Sequence, residues 1–563
     1  MTKGLGGFFI AGLLTASVSG NIFGFQREPS PLYSTDIPKD WFLRDPETDT
    51  LQGMSVERAY TLLKGKPSKT VVVAVIDTGV DFNHEDLKDV MWVNEKETVG
   101  NNIDDDKNGY TDDIHGWNFI GGKNGNVKQD TYELTREYAR LKSTYENTDA
   151  KKISKKIKAN YEYWLLIKDR YTKYKAESET NYASCAKQLA QYKLFYQNLS
   201  EAILLIKSTY KVDTLSQALV DTIKSTNSKM RFAKYIVGIL YKNEGRDAQV
   251  EKTADELKGI IENNSEVCDN YKTAIDYGYN TEFDSRTIVG DDYANLEERK
   301  YGNSDVKGTG PVHGTHVAGI IAANRNNTIG MKGVADNVKI MALRAVPNGD
   351  ERDKDIANAI RYAVDNGARV INMSFGKDYS PEKEYIDKAV KYAELKNVLL
   401  VHGAGNDNDD NDSKPSFPSR FYLDGKQAPN WIEVGASSWE ADSSLTADFS
   451  NYGKKTVDIF APGVKIYSTT PGNTYQELGG TSMACPATAG VAALLMSYFP
   501  NLTAAQIREI LNQSSHKFDN LRVKKPGSTE TINFSELSIS GGLVNAYEAV
   551  KLASTITRQP LDK

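Results

Sequence analysis

The amino-acid sequence predicts an α/β protein: a doubly wound, mostly parallel sheet flanked by helices and interrupted by an inserted all-α subdomain. Three observations predict it. Short apolar, β-branched runs recur along the chain, stretches of helical period separate several of them, and a long central region lacks proline and is poor in glycine. At 563 residues the chain is also too long for one compact core, which points to two or more structural units.

Taken in order, residues 1–20 carry one cation, the apolar stretch GLGGFFIAGLLTASVSG and then small residues, the layout of a secretory signal peptide cleaved near Gly20. The first strand is VVVAVI, Val71–Ile76, a run suited to burial on both faces of a parallel sheet, and it ends in Asp77. Further strands are expected at Val338–Val346, Arg369–Ser374, Val398–Val401, Trp431–Val434 and Val457–Phe460. Ser380-Pro381 supplies an N-cap and a first-turn proline for the helix EKEYIDKAVKYAELKN. Asn501-Leu502-Thr503 opens TAAQIREILNQ in the same way, and GGLVNAYEAVKLAS closes the chain as an amphipathic helix.

Residues 21–126 and 281–555 are therefore read as two parts of one domain, and 127–280 as a helical insertion, since no proline occurs between Pro67 and Pro311. Within it Cys185, Leu189, Tyr192, Phe195, Leu199, Ile203 and Ile206 step by three or four and form one apolar stripe. Ile153, Ile157, Trp164 and Tyr171 form another, and core packing is the use expected of both.

Charge excludes some functions. The net charge is −6, with 69 basic and 75 acidic residues spread along the chain, so no polybasic footprint for nucleic acid and no basic membrane-binding face is present. Beyond the N-terminus no apolar run approaches the ~20 residues of a membrane helix, so no stable membrane insertion is expected after signal cleavage. A secreted or periplasmic location follows. Of the three cysteines, Cys185 and Cys268 both lie in the insertion and either pair in an exported chain or remain free thiols; Cys485 stands apart. Nothing in the pattern defines an oligomeric state.

The motifs carry the chemistry. In Asp104-Asp105-Asp106-Lys107-Asn108-Gly109-Tyr110-Thr111-Asp112-Asp113, oxygen-bearing residues alternate ahead of a glycine bend, as in a loop that wraps calcium. Asp104, Asp106, Asn108, Tyr110 and Asp112 occupy the ligand positions; His115 stands where a bidentate glutamate would be, so Asp113 or a residue elsewhere completes the shell. Calcium here is structural, and the chemistry requires no cofactor.

Gly479-Gly480-Thr481-Ser482-Met483-Ala484-Cys485-Pro486 places a hydroxyl at a helix start among small residues. Asp77 at a strand end and His313, opening HGTHVAGIIAA, supply a carboxylate and an imidazole, giving the complete Asp, His, Ser set for acyl transfer.

DTGVDFNHEDL, HGTHVAGIIAA and GTSMACPATAGVAALL closely resemble the three active-site blocks of the subtilisin-like serine peptidases, peptidase S8, from about Pro38 to the C-terminus outside the insertion. The resemblance implies a subtilisin-like fold and a secreted serine endopeptidase acting on protein or peptide substrates. Asp77 would orient the imidazolium, His313 would be general base and then acid, and Ser482 the nucleophile. His316 is similar to the structural histidine of its block, and His84 and His402 are poor candidates for the base. Asn406, in VLLVHGAGNDND, resembles the oxyanion-hole donor. Ser374, Phe375 and Gly376 in VINMSFG, with Gly403, Ala404 and Gly405, resemble the two walls of an S1 pocket and imply a slot for a bulky apolar or aromatic P1 side chain.

The match of Asp86 implies a second calcium ligand, with NRNNTIG (324–330) as its partner loop. KPSFPSR (414–420) and FSNYG (449–453) also match family segments. The gap from Asp77 to His313 exceeds that from His313 to Ser482, the reverse of simple subtilases, which places the insertion inside the peptidase domain. The residues between Gly20 and Val71 are too few for both a folding propeptide and the usual N-terminal segment, so unassisted folding or a substitute segment is expected. The alternative reading is a catalytically silent subtilase fold that binds partners through the helical insertion.

Overall fold

A computed structural model describes residues 37–149, 153–245, 249–559 and 561; the expected signal peptide, residues 1–20, lies outside them. The described residues form two compact units, one running to Glu137 and resuming at Thr281, the other Tyr138–Asn280.

The first unit is built on a nine-stranded sheet: β1 Val71–Asp77, β2 Gly116–Asn118, β3 Val338–Arg344, β4 Ala368–Met373, β5 Leu399–Gly403, β6 Trp431–Ser437, β7 Ile459–Pro462, β8 His516–Lys517 and β9 Gly542–Leu543. Their order is β8-β9-β7-β6-β5-β4-β1-β3-β2. Only the β8–β9 edge is antiparallel. β1 pairs with β3 on one side, Val71 opposite Val338, and with β4 on the other, Val73 opposite Val370. The chain passes from β3 to β4 across β1, which makes the C-terminal end of β1 a switch point where α/β sheets open a crevice.

Alternation along β1 explains its two covered faces. Val71, Val73 and Val75 pack in one core with the helices Val312–Ala322 and Thr481–Tyr498; Ala74 and Ile76 pack in the other with Asp353–Asp365 and Lys383–Leu395. Each fully buried valine or isoleucine contributes roughly 1.5–3 kcal/mol, so a one-residue slip of β1 would disrupt both cores.

Two expected helix starts come out differently. Thr503 caps Ala504–Gln513 in a reciprocal capping box with Gln506, as expected. Ser380 does not cap its helix, which begins at Lys383. Instead Ser380 Oγ and the Glu382 N–H both donate to Asp353 Oδ2, a carboxylate from a distant helix start.

Residues 127–137, assigned from sequence to the insertion, belong to the sheet-bearing unit. The Val127 N–H bonds the Ile120 carbonyl, and Gln129 bridges to Asn348. Asp130 is gripped by Arg352 at 2.7 and 2.9 Å and by Ser285 Oγ at 2.7 Å. Arg352 outweighs the burial penalty and draws the Asp130 carboxyl down to about 2. Because Asp130 and Ser285 touch, the departing and returning chains are held side by side, and a long insertion adds little closure entropy to the sheet.

The second unit is helical. Lys158–Tyr210, 53 residues long, packs with Ser228–Glu244 and Val250–Thr273. The first stripe is used as expected: Leu189, Tyr192, Leu199, Ile203 and Ile206 are buried. In the second, Trp164 and Tyr171 are buried, but Ile153 and Ile157 precede the helix and are only half-buried. Tyr171 stacks on Tyr138 with centroids 3.9 Å apart and donates its hydroxyl to the Tyr279 carbonyl.

Cys185 and Cys268 form a disulfide across a separation of 83 residues, joining the long helix to Val250–Thr273. Closing a loop of that length stabilises by about 4–5 kcal/mol in the chain-entropy account. Cys185→Ser with Cys268→Ser is therefore expected to lower the melting temperature of the helical unit, while the transition of the sheet-bearing unit stays in place. Calorimetry with and without reductant checks this, since the double variant should no longer respond to reductant.

Candidate active site

Three chain ends meet the C-terminal side of the sheet. β1 ends in Asp77, whose buried Oδ1 accepts the His313 Nδ1–H at 2.7 Å and the Thr78 N–H at 2.7 Å. A carboxylate only accepts, so Nδ1 carries the proton and His313 Nε2 is left with the lone pair. His313 is the second residue of its helix. The helix approaches β1 closely because Gly314 follows: a Cβ there would stand 2.2 Å from the Gly79 carbonyl oxygen. Thr315 Oγ1 accepts the Asp81 N–H at 2.9 Å and fixes the same contact from the next residue.

Ser482 is the second residue of the helix Thr481–Tyr498. Pro486 lies four residues on and has no N–H, so the Ser482 carbonyl lacks its helical donor. Ser374 Oγ fills that role at 3.0 Å, and Ser482 Oγ donates back to the Ser374 carbonyl at 3.3 Å. The proline in the motif thereby ties the serine to the segment after β4.

Asn406 follows β5. Its Oδ1 accepts the Thr481 N–H at 2.8 Å and Thr481 Oγ1 at 3.0 Å, which caps the serine helix. A Cβ built on Gly480 would lie 3.6 Å from Asn406 Nδ2 and 3.6 Å from Ser482 N. The amide and the serine N–H thus border one small space that glycine leaves open, a pair of donors suited to a developing oxyanion.

The other histidines are committed elsewhere. His316 Nε2 faces the Ile466 and Gln476 carbonyls at 3.0 and 3.1 Å, and burial pushes its pKa down to about 3. His84 Nδ1 accepts the Asp86 N–H. Cys485 is buried near Asn372 Oδ1 and the Val401 carbonyl; burial pushes its thiol up, so it stays neutral.

The two expected pocket walls both reach the serine helix. Gly403 packs tightly on the serine helix, where a Cβ would meet the Thr481 carbonyl oxygen at 3.2 Å, and the Gly405 N–H donates to Thr481 Oγ1. Ala404 points the other way, into a core with Leu445, Val457 and Phe460, so it offers a slot only its backbone. On the facing segment Phe375 is half-buried, and Lys377 exchanges hydrogen bonds with Phe417 at 2.9 Å each way.

Of the expected metal ligands, Asp104 and Asp106 come together, joined by Glu97, which the loop spacing did not reveal because it lies seven residues upstream. One carboxylate oxygen from each lies within 4.8 Å of the others. That spacing fits a single calcium ion with oxygens at roughly 2.3–2.6 Å. The remaining candidates turn elsewhere. Asn108 Nδ2 and Tyr362 OH both donate to Asp113, Tyr110 OH donates to the Arg299 carbonyl, and Asp112 accepts the N–H groups of Gly100 and Asn102. Asp86 meets the 324–330 loop as the resemblance implied, through Asn327, whose Nδ2 donates to it at 2.6 Å; Met331 N–H and Tyr475 OH add two more donors.

The site thus holds an imidazole oriented by a carboxylate, a helix-start hydroxyl that donates to the Ser374 carbonyl, and two donors near Gly480, all on one α/β scaffold. The chain belongs to the subtilase family, whose model matches residues 68–532. The observed sheet is the subtilisin-like fold that the motifs implied. The chain is 41% identical over 246 residues to the thermophilic serine proteinase of Bacillus sp. (strain AK1), covering 44% of this chain and 55% of that protein. It is 36% identical over 250 residues to thermitase of Thermoactinomyces vulgaris, 44% of this chain and 78% of thermitase. To subtilisin DY of Bacillus licheniformis it is 39% identical over 208 residues, 36% of this chain and 70% of that protein. The chain thus spans about half the length of the first of these relatives. No helix among the described residues is long and apolar enough to cross a membrane.

Proposed function

We propose that this protein is an exported serine endopeptidase that cleaves peptide bonds through an acyl-enzyme on Ser482. The observation that carries the reading is the 2.7 Å bond from His313 Nδ1 to Asp77, which leaves Nε2 as the acceptor a general base needs. In the reaction His313 Nε2 takes the Ser482 proton as Oγ bonds the scissile carbonyl carbon. Asn406 Nδ2 and the Ser482 N–H hold the oxygen that gains charge. His313 then gives the proton to the leaving amine, the C–N bond breaks, and water repeats the sequence to release the acid. Asp77 keeps the ring oriented and stabilises its cation.

Ser374, Phe375 and Gly376 with the backbone of Gly403, Ala404 and Gly405 form the S1 slot, which favours a bulky apolar or aromatic P1 side chain. Export is supported by the Cys185–Cys268 disulfide, a bond that persists in oxidising compartments, and by the layout of residues 1–20. The test is a fluorophosphonate probe on folded protein, which is expected to label Ser482; failure to label favours the silent fold that binds partners through its helices.

Calcium is held by Glu97, Asp104 and Asp106, where its charge offsets three crowded carboxylates and ties the 97–106 loop together. It plays no part in the chemistry. Ligand that binds only the native state adds about 2.7 kcal/mol at a hundred times its dissociation constant. Chelation is therefore expected to lower the melting temperature, and Glu97→Gln with Asp106→Asn to abolish that response. A chelator effect that survives in the double variant moves the site to Asp86 or elsewhere.

A further inference from the structure

One buried histidine–carboxylate pair lies next to the slot and has no part in the chemistry described. His402, the last residue before the Gly403 wall, is fully buried. Its Nδ1 bonds Glu433 Oε1 at 2.8 Å, and Glu433 Oε2 accepts the Trp431 indole N–H at 2.8 Å. The ring reaches the opposite wall as well. It stands edge-on to Phe375 with centroids 6.3 Å apart, and a Cβ on Gly376 would lie 3.8 Å from its Cε1. His402 Nε2 is buried and makes no hydrogen bond of ordinary geometry, with the Phe375 backbone beside it as the one acceptor that favours a proton there. The ring is therefore wedged between the two segments assigned to S1.

We propose that His402, held by Glu433, is a positioning residue of the S1 wall, and that its protonated ring sets the Phe375–Gly376 edge so that P1 selectivity varies with pH. The proposal rests on the S1 assignment made above. Glu433 keeps the Nδ1 proton in place, so the proton lost on titration is the one on Nε2. The neutral ring then turns a lone pair toward the wall in place of an N–H, and a buried acceptor without a donor is costly. Burial alone would push the His402 pKa down, but the charge and hydrogen bond of Glu433 outweigh it, with support from the Phe375 backbone and the Glu351 charge, and raise it. The charged groups bearing on the ring are thus Glu433 from β6 and Glu351 from the loop before Asp353–Asp365. Lys377 donates to the Glu351 carbonyl, and burial lifts the Glu351 carboxyl to about 7. With a raised pKa the propped wall is present below the His402 transition and is lost as pH rises through it.

The test compares kcat/KM for two chromogenic peptides that differ only in P1, phenylalanine or alanine, across about pH 5 to 10. Any ionisation of the free enzyme that both reactions share affects both substrates equally and cancels in the ratio. The Phe-to-Ala ratio of the wild type is expected to fall with one midpoint as pH rises, by up to about tenfold, the factor equal to one pKa unit of coupling. Glu433→Gln should move that midpoint down by roughly 1–3 pH units, the effect of losing an opposite charge in contact. His402→Gln should make the ratio independent of pH, and Glu351→Gln should keep a midpoint, moved down by less than in Glu433→Gln. A flat wild-type ratio overturns the proposal without any variant; so does a midpoint that ignores Glu433→Gln or disappears in Glu351→Gln. Gly376→Ala separates the two levels of inference. A ratio unmoved by that change removes the S1 assignment itself, whereas a ratio it alters, with a flat wild-type profile, removes only the role of His402.

Discussion

Ser482→Ala is expected to abolish peptide hydrolysis while leaving the melting temperature nearly unchanged. The hydroxyl's bond to the Ser374 carbonyl is long, 3.3 Å, and the reverse bond from Ser374 Oγ to the Ser482 carbonyl does not involve the lost atom. Folding therefore loses little. The acyl-enzyme, in contrast, cannot form, and kcat should fall by about 10⁶, the scale seen when the nucleophile of a subtilisin is removed. About 10³-fold acceleration over water should survive, because Asn406 and the Ser482 N–H still meet the oxyanion formed by direct water attack. Steady-state kinetics with active-site titration, to exclude contaminating wild type, checks the value. Wild-type turnover in pure variant would remove Ser482 from the mechanism.

Removal of the Asn406 donor is expected to lower kcat by about 10²–10³ with little change in KM, the scale seen for such a donor in subtilisin. Asn406 has two jobs, however. Its Oδ1 caps Thr481 while its Nδ2 borders the Gly480 space, so alanine removes cap and donor together. Asn406→Asp separates them, since a carboxylate still accepts from Thr481 but donates nothing and adds charge beside the oxyanion. The aspartate variant should therefore melt like the wild type and be at least as slow as the alanine variant. A loss confined to KM, or a slow alanine variant beside a fast aspartate one, would mean that Asn406 acts only as a cap.

Both predictions rest on residues visible in sequence because each sits in a short local motif. Asp77 ends an apolar run, His313 and Ser482 open helices, and Asn406 follows a strand, so the positions were readable before any contact was known. Their neighbours across the fold were not. Glu97 lies outside the regular spacing of the acidic loop and joins Asp104 and Asp106 only through the turn that residues 97–106 make. His402 reads as one more strand residue until β6 brings Glu433 beside it. Ser380-Pro381 carries a good local signal for a helix start, yet Asp353 from a distant element takes over the cap.

The sequence by itself determined the class of fold, the strands and their apolar faces, the helical character of the central region and the four residues proposed for the chemistry. These depend on periodicity and on motifs a few residues long, which are local properties of the chain. Only the tertiary structure decided that residues 127–137 stay with the sheet, that Cys185 pairs with Cys268, that Ala404 faces a core and that Glu97 completes a carboxylate trio. All of those but the Glu97 trio are contacts between segments far apart in sequence. Such contacts are set by how the elements pack against one another, and no local pattern encodes which partner a residue meets.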